Sequence, residues 1–248
     1  MHGSLDTVDN NLLRALRPDD WALLQPHLED WSAQSGTLIQ EPGDTVRHAY
    51  FPRGPSLISY LVVLRDGRGI ETVLVGREGA VGGIVSQGKL PAYARAVVQV
   101  GASFWRIDVQ DLEQAKSRSP NLRHLLTRYA DCLLAQIFQS VACNAAHSIE
   151  QRTAKWLLAA MDRTGRHDLT LTQEHLAAML GVGRSYLARV FHDLRGEGII
   201  ETKRGHVVVH KKGKLRSIAC ECNAAVTRHF DNVLKGVYPN GQDEAEKH

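Results

Sequence analysis

The stretch Thr172–Ile200, TQEHLAAMLGVGRSYLARVFHDLRGEGII, decides the fold of this 248-residue chain. It predicts two short helices joined by a tight turn. The hydroxyl of Thr172 can cap the free N–H groups at the start of the first helix. Gly181 permits the left-handed backbone that ends this helix, and the second helix runs from about Gly183 to Arg195. The pattern is typical of a helix-turn-helix.

The second helix has two chemically different faces when successive residues are placed about 100° apart. One face is apolar and the other carries arginines and small polar groups, which suits the major groove of DNA. The alternative is a pair of packed helices whose basic face is simply solvated. The apolar face comprises Leu187, Val190, Phe191 and Leu194, and the opposite face comprises Arg184, Ser185, Ala188, Arg189 and His192.

A basic hairpin follows the second helix. Residues 199–209 predict two short strands that turn at Arg204-Gly205, forming a wing along the DNA phosphates. Residues 150–235 hold 15 Lys and Arg against nine Asp and Glu, whereas residues 1–149 hold 14 against 15. This asymmetry favours DNA binding by the C-terminal part. The predicted DNA contacts are Thr172, Gly183, Arg184, Ser185, Ala188, Arg189, His192, Lys203 and Arg204, with Lys211 and Lys212 as further phosphate contacts.

The composition bounds the class of protein. With 43% hydrophobic residues, the chain can bury one large core or two moderate ones. No apolar run approaches the ~20 residues that span a bilayer, and the first residues lack a secretion signal, so we expect a cytoplasmic protein without a membrane partner. No phosphate-binding loop, nucleophile elbow or metalloprotease motif is found, which argues against an enzyme. A non-catalytic ligand-binding module acting through protein contacts is the other alternative.

The N-terminal half has a different pattern. Residues 5–31 predict two leucine-rich helices, and residues 36–107 predict short strands separated by glycine turns, typical of a rolled barrel or a sandwich. The predicted class is therefore α+β, with an N-terminal rolled barrel or sandwich, a long helix and a C-terminal winged helix-turn-helix. The predicted segments are the helices and sensor roll at 1–118, the dimerisation helix at 119–148, the DNA-binding domain at 149–235 and a flexible tail at 236–248.

The long helix is apolar on more than one side and therefore needs two partners. We expect the β-roll to cover one side and the same helix of a second subunit to cover the other, because symmetric dimers suit palindromic DNA sites. A core helix within a monomer is the alternative. The predicted dimer contacts are Leu122, Leu126, Tyr129, Leu133, Ile137 and Val141.

Several short motifs occur in the order found in one known family. They are Gln151–Leu158, Leu171–Ala177, Leu180–Val182, Arg184–Ser185 and Gly198–Ile200 in the C-terminal half, and Gly36, Glu41–Asp44 and Tyr50–Phe51 in the N-terminal half. Together with the order of roll, long helix and winged helix-turn-helix, they resemble the Crp/Fnr family of bacterial transcription regulators over residues 10–225.

The resemblance implies a homodimer bound to a palindromic operator in double-stranded DNA, with RNA polymerase as a further partner. It also implies that the N-terminal sheets form an effector-sensing β-roll like a cyclic-nucleotide-binding jelly roll. The family's recognition helix usually carries an Arg, an acidic residue just after it, and a second Arg about one turn on. Arg184 and Arg189 match the two arginines, but Ser185 replaces the acidic residue. The family's best-known operator sequence is therefore not carried over.

The effector pocket departs from the cyclic-nucleotide members of the family, which bind the ribose through Gly-Glu and the phosphate through a later Arg. Alignment places Gly82-Gly83 and Ala92 at these positions, and only a shifted register would bring in Arg95 or Glu78. Cyclic AMP is therefore not expected to bind in the usual way, because burying a phosphate without a cation is costly. A cyclic-nucleotide-responsive activator is the alternative function. The candidate pocket residues are Gly82, Gly83, Ala92 and Arg95, and no effector or cofactor is identified.

No metal site is predicted. Iron–sulfur members of the family carry N-terminal cysteines, whereas the first cysteine here is Cys132. Cys220 and Cys222 are separated by one residue, which is closer than the usual zinc pair. We expect them to be ordinary packed or exposed cysteines, and a thiol redox role is the alternative. The histidines that could in principle bind haem are His48, His124, His147 and His175.

Overall fold

The computed structural model describes residues 8–84 and 90–235, so the predicted tail at 236–248 lies outside it. None of the described helices combines the length and the apolar character needed to cross a bilayer. In chain order the elements are α1 (Asn11–Arg14), α2 (Pro18–Leu24), β1 (Glu29–Ser32), β2 (Leu38–Gln40), β3 (His48–Pro52), β4 (Leu57–Val63), β5 (Gly69–Val75), β6 (Val81–Gly82), β7 (Arg95–Val100), β8 (Ser103–Asp108), α3 (Val109–Arg118), α4 (Pro120–Ala146), α5 (Ile149–Thr164), β9 (Asp168–Thr170), α6 (Gln173–Leu180), α7 (Arg184–Gly196), β10 (Ile200–Lys203), β11 (His206–Val209), α8 (Lys212–Ile218) and α9 (Cys222–Leu234).

The N-terminal strands form two antiparallel sheets with the orders β1-β8-β3-β6 and β2-β7-β4-β5. Distant strands of the chain are neighbours in both sheets, as a rolled topology requires. Side chains from both sheets meet in an apolar interior, where Ile58, Val98 and Phe104 are fully buried. The predicted α+β class and β-roll are confirmed.

The first half of α4 is an interior helix. Leu122, Leu126 and Tyr129 are at most 2% exposed and pack in the core between the N-terminal helices and the roll. The Tyr129 hydroxyl donates to the Ala80 carbonyl and accepts from the Ala80 N–H, both at 2.8 Å. These three residues were predicted to face a second subunit. That part of the prediction is wrong, because their own chain already covers them.

The C-terminal half is a winged helix-turn-helix. Helices α5, α6 and α7 pack with the sheet β10-β11-β9 around fully buried side chains such as Leu176, Leu187 and Phe191. Two further helices, α8 and α9, follow the wing and were not predicted. Helix α9 packs against α4, and the ring centroids of Phe230 and Tyr129 are 6.2 Å apart. This contact supplies part of the cover over the first half of α4.

The two halves of the molecule pack directly against each other. Leu57, Leu61 and Leu74 of the roll share one apolar core with the helix-turn-helix. The Trp156 indole N–H on α5 donates to Glu71 on β5 at 2.8 Å, and the Arg163 guanidinium pairs with Glu78 at 2.7 Å. The predicted segment limits stay predictions, because this shared core crosses them.

Candidate nucleic-acid interface

The turn between α6 and α7 is built by local capping. The Thr172 hydroxyl accepts the His175 N–H at 3.1 Å, as predicted for the start of α6. Gly181 has a φ of 69° and ends α6 in the left-handed conformation. Gly183 is the N-cap of α7 and has no side chain with which to cap it. The N–H groups of the first turn of α7 therefore lack a side-chain partner at the cap, and such groups suit a phosphate oxygen.

Helix α7 separates an inner from an outer face as the sequence indicates. Leu187, Val190, Phe191 and Leu194 are buried. The predicted contact residues Arg184, Ser185, Ala188, Arg189 and His192 are all exposed. The structure thus brings the five together on one surface, which we call the recognition face.

Two arginines of the recognition face are held by neighbours. Arg184 forms an ion pair with Glu174 of α6, and both side chains are largely exposed. The guanidinium of Arg189 lies 5.0 Å from the ring centroid of Tyr186, in cation–π geometry. Tyr186 is 44% exposed and was missed by the sequence reasoning. A large aromatic residue on the polar side of an amphipathic helix was the available signal.

The wing forms as predicted and lies next to the helix-turn-helix. Lys203 pairs across the strands with His206, and Gly205 supplies the left-handed turn with a φ of 77°. Lys203 and Arg204 are exposed, and the Lys203 ammonium is 3.7 Å from Glu201 in a weak surface ion pair.

The two lysines after the wing are engaged within the protein. Lys211 donates to the Glu197 carbonyl at 2.7 Å, at the end of α7. Lys212 pairs with Asp162 of α5 at 2.8 Å. Both contacts direct the ammonium groups toward the body of the domain, so the predicted phosphate contacts centre on Lys203 and Arg204.

The second half of α4 has an exposed apolar surface. Leu134, Ile137 and Val141 are 45%, 37% and 65% exposed, and Phe138 beside them is 64% exposed. Thr127, Ala130, Leu134, Ile137 and Val141 follow alternating steps of three and four, the spacing of a coiled-coil seam, and Phe138 lies beside this series. We call Thr127, Ala130, Leu134, Ile137, Phe138 and Val141 the α4 stripe. Of the predicted dimer contacts it retains Ile137 and Val141, and the half-buried Leu133 lies beside it.

The two glycines of the candidate effector pocket lie against the end of the roll. The Gly82 N–H donates to the Tyr60 hydroxyl at 2.8 Å. A side chain at Gly83 would collide with Val109, the first residue of α3. The backbone around Gly83 is therefore closely packed rather than open to a ligand.

The other two candidate pocket residues lie on the opposite sheet of the roll or beside it. Ala92 is buried, and its carbonyl accepts the Gly43 N–H at 2.7 Å. Arg95 begins β7 and pairs with Glu41 at 2.9 Å, which uses the cation that a phosphate would need. Gly82 thus belongs to the sheet β1-β8-β3-β6, and Arg95 belongs to the sheet β2-β7-β4-β5.

A small cavity lies where α4, α5 and β5 meet. It has a volume of about 60 Å³, and Glu71, Gln136 and Trp156 are among its lining residues. Small-molecule sites usually enclose about 300 Å³ or more, so this space is too small for a nucleotide. Burial raises the pKa of Glu71, and hydrogen bonds from Ser59 and Trp156 partly oppose this shift.

Comparison with known proteins agrees with this architecture. Residues 151–218 match the Crp-like helix-turn-helix domain. The Global nitrogen regulator of Nostoc sp. (strain PCC 7120 / SAG 25.82 / UTEX 2576) is 26% identical over 216 residues, which cover 83% of this chain and 95% of that protein.

Two solved structures share the fold at lower identity. FixK2 from Bradyrhizobium japonicum is 17% identical, with a TM-score of 0.64 over 78% of this chain and 98% of that one. The c-di-GMP responsive global regulator CLP of Xanthomonas campestris is 16% identical, with a TM-score of 0.63 over 78% of this chain and 99% of that one. The resemblance predicted from the sequence is confirmed.

Proposed function

We propose that this chain, a transcription regulator of Crp/Fnr type with a helix-turn-helix DNA-binding domain, acts as a homodimer that reads a palindromic operator. The observation that carries the proposal is the recognition face of α7. It presents Arg184, Ser185 and Arg189 on one exposed surface, while the other side of the helix is buried in the domain.

The chemistry of this face suits bases with paired acceptors. An arginine can donate two hydrogen bonds to O6 and N7 of a guanine, and each such pair discriminates by about 1–3 kcal/mol. Tyr186 restricts Arg189 by lying under its guanidinium, and Glu174 restricts Arg184. Ordering these side chains before binding lowers the entropy that base contact would cost. Ser185 can donate or accept and therefore discriminates less.

The partner of the α4 stripe in this proposal is the α4 of a second copy. The stripe combines coiled-coil spacing with exposed apolar side chains, and the opposite side of the same helix is covered by the chain itself. A two-fold axis along this seam would relate two recognition helices, which matches an operator with half-sites about 34 Å apart. RNA polymerase stays a predicted partner of the DNA-bound dimer.

The wing contributes attraction that does not depend on sequence. Lys203 and Arg204 are exposed at its tip, and each phosphate that they neutralise releases counterions into solution. The roll stays the predicted effector-sensing part of the protein. Its effector is not evidently cyclic AMP, since Gly83 is closely packed against Val109 and Arg95 is paired with Glu41.

The test begins with selection of bound sequences from a random DNA pool, followed by fluorescence anisotropy on the recovered site. Arg189→Ala and Arg184→Ala should each weaken binding to that site by about 1–3 kcal/mol and relax the preference at one position per half-site. Arg118→Ala is the matched control, because it removes an exposed positive charge at the end of α3, outside the recognition face. Recovery of no enriched sequence, or equal binding by all variants, would instead favour a ligand-binding module acting through protein contacts.

A further inference from the structure

Four side chains with metal-binding atoms meet where the end of α4 contacts the start of α9. They are Cys143, His147, Cys220 and Cys222, and their ligand atoms all lie within 4.8 Å of one another. Cys143 and His147 are four residues apart, which places them on the same face at the end of the helix. The three cysteines are buried and form an apolar cluster of their own.

Two of the six distances among these atoms match the edges of a tetrahedral zinc site, and the other four are at most 4.8 Å. The Cys143 and Cys220 sulfurs are 3.7 Å apart, and the Cys222 sulfur is 3.5 Å from Nδ1 of His147. With Zn–S near 2.3 Å and Zn–N near 2.0–2.1 Å, the edges of a tetrahedron are about 3.8 Å between two sulfurs and about 3.5 Å between sulfur and nitrogen. We propose that Cys143, His147, Cys220 and Cys222 bind one zinc ion.

The surroundings of the cluster match those of a ligated metal. Nε2 of His147 lies 3.6 Å from the Glu221 carboxylate, and metal-bound histidines usually direct their second nitrogen to such a group. Gln139 donates to the Cys222 sulfur at 3.1 Å, and the Lys155 ammonium lies 3.5 Å from the Cys143 sulfur. Three thiolates and a neutral histidine leave a zinc site with one net negative charge, which Lys155 offsets.

Other uses of these residues fit the geometry less well. A disulfide needs sulfurs about 2.05 Å apart, whereas Cys143 and Cys220 are 3.7 Å apart as free thiols. Iron–sulfur clusters are held mostly by four thiolates that surround a cage of several metal atoms, whereas here three cysteine sulfurs and one imidazole lie within 4.8 Å of one another. A closed set of four protein ligands is typical of structural zinc.

The zinc site would connect two segments that are far apart in the sequence. Cys143 lies in the helix that carries the α4 stripe, and Cys220 and Cys222 lie 77 residues or more further on, after the wing. The ion would therefore join the end of the dimerisation helix to the last helix of the DNA-binding domain. Because zinc would bind the folded protein and not the unfolded chain, zinc binding would increase the free energy of unfolding.

The sequence alone predicts no metal site, because Cys220 and Cys222 are closer together than the two cysteines of the usual zinc pair. The other two ligands, Cys143 and His147, lie at the end of α4, and no spacing in the sequence links them to Cys220 and Cys222. Cys132 is the remaining cysteine of the chain, and it is buried in the core with Tyr129, away from the cluster.

The test measures metal content in the full chain, purified reduced, without a polyhistidine tag and without chelators. Elemental mass spectrometry should find about one zinc ion per protomer in the wild type and in the control Cys132→Ser. It should find little zinc in Cys222→Ser or Cys143→Ser. Exchange with Co²⁺ should give the visible absorption of a tetrahedral thiolate site in the wild type, a result that requires no variant. A chelator should lower the Tm of the wild type and leave that of Cys222→Ser unchanged.

Three results would overturn the site. They are a reduced wild type that binds no added Zn²⁺ or Co²⁺, an equal zinc content in Cys222→Ser, and a Cys143–Cys220 disulfide in protein purified without oxygen. All are measured without DNA, so a failure of the zinc site is distinguishable from a failure of operator binding.

Discussion

The substitution Leu134→Glu should split the proposed dimer while leaving the subunit folded. Leu134 lies in the α4 stripe and is 45% exposed in the single chain, so a charge there is solvated until a second copy covers it. Leu126 on the same helix is 2% exposed, and Leu126→Glu should instead unfold the subunit. The contrast between these two leucines tests the placement of the seam.

The expected effect on the free energy of dimerisation depends on how much apolar surface of the α4 stripe is exposed in the single chain. Leu134, Ile137, Phe138 and Val141 are 37–65% exposed, and full burial of such a side chain contributes about 1.5–3 kcal/mol. With about half of each still to be covered, the eight side chains of two subunits contribute roughly 6–12 kcal/mol. Association costs about 4–15 kcal/mol. The net free energy of dimerisation left by these two terms is small. Burying one unpaired carboxylate from each subunit costs several kcal/mol per carboxylate and should therefore exceed it.

Sedimentation equilibrium at micromolar protein concentrations should show a dimeric wild type. The dissociation constant of Leu134→Glu should rise by at least about 100-fold, which corresponds to about 2.7 kcal/mol. Gln114→Glu adds a charge on the exposed side of α3 and should stay dimeric. A Leu134→Glu variant that stays fully dimeric with an unchanged circular dichroism spectrum would refute the placement of the dimer contact on the α4 stripe.

The remaining predictions concern the DNA surface, the domain junction and the roll. Lys203→Ala should weaken binding to the operator and to random DNA alike and should reduce the slope of log affinity against log salt by about one ion; a loss confined to the operator would mean that Lys203 contacts bases. Tyr186→Leu keeps an apolar side chain but removes the cation–π contact with Arg189, so operator affinity should fall by about 0.5–1 kcal/mol, and anisotropy showing no change would contradict the proposed positioning. Burial raises the pKa of Glu71 above the ordinary value of 4.5 for a glutamate, so the folded protein holds this proton more tightly than the unfolded chain does. The free energy of unfolding therefore falls as the pH rises above 4.5 toward the raised pKa. Glu71→Gln should therefore have nearly the wild-type Tm at the acid end of that window and a higher Tm at pH 7, and a constant or reversed difference in thermal melts would exclude this account. Calorimetry with cyclic AMP or cyclic GMP should give no heat at tens of micromolar, and binding that also tightens the operator complex would restore the nucleotide-sensor interpretation.

The recognition helix could be predicted because its determinants are local. The capping hydroxyl of Thr172, the left-handed Gly181 and the 3.6-residue period of α7 each act within a few residues. The inner and outer faces of α7 follow from that period alone. Tyr186 escaped attention because an aromatic residue on a polar face has no assigned partner until the side chain of Arg189 is placed over it.

The sequence by itself therefore determined the order of β-roll, long helix and winged helix-turn-helix, and the identity of the exposed arginines. Only the tertiary structure decided which side of α4 is free, because that helix is apolar on more than one side and α9, which helps to cover it, follows some 75 to 100 residues later. The same long-range return of the chain brings Cys220 and Cys222 to Cys143 and His147. Periodicity and capping are encoded in neighbouring residues, whereas these contacts depend on how distant segments bury their apolar surface together.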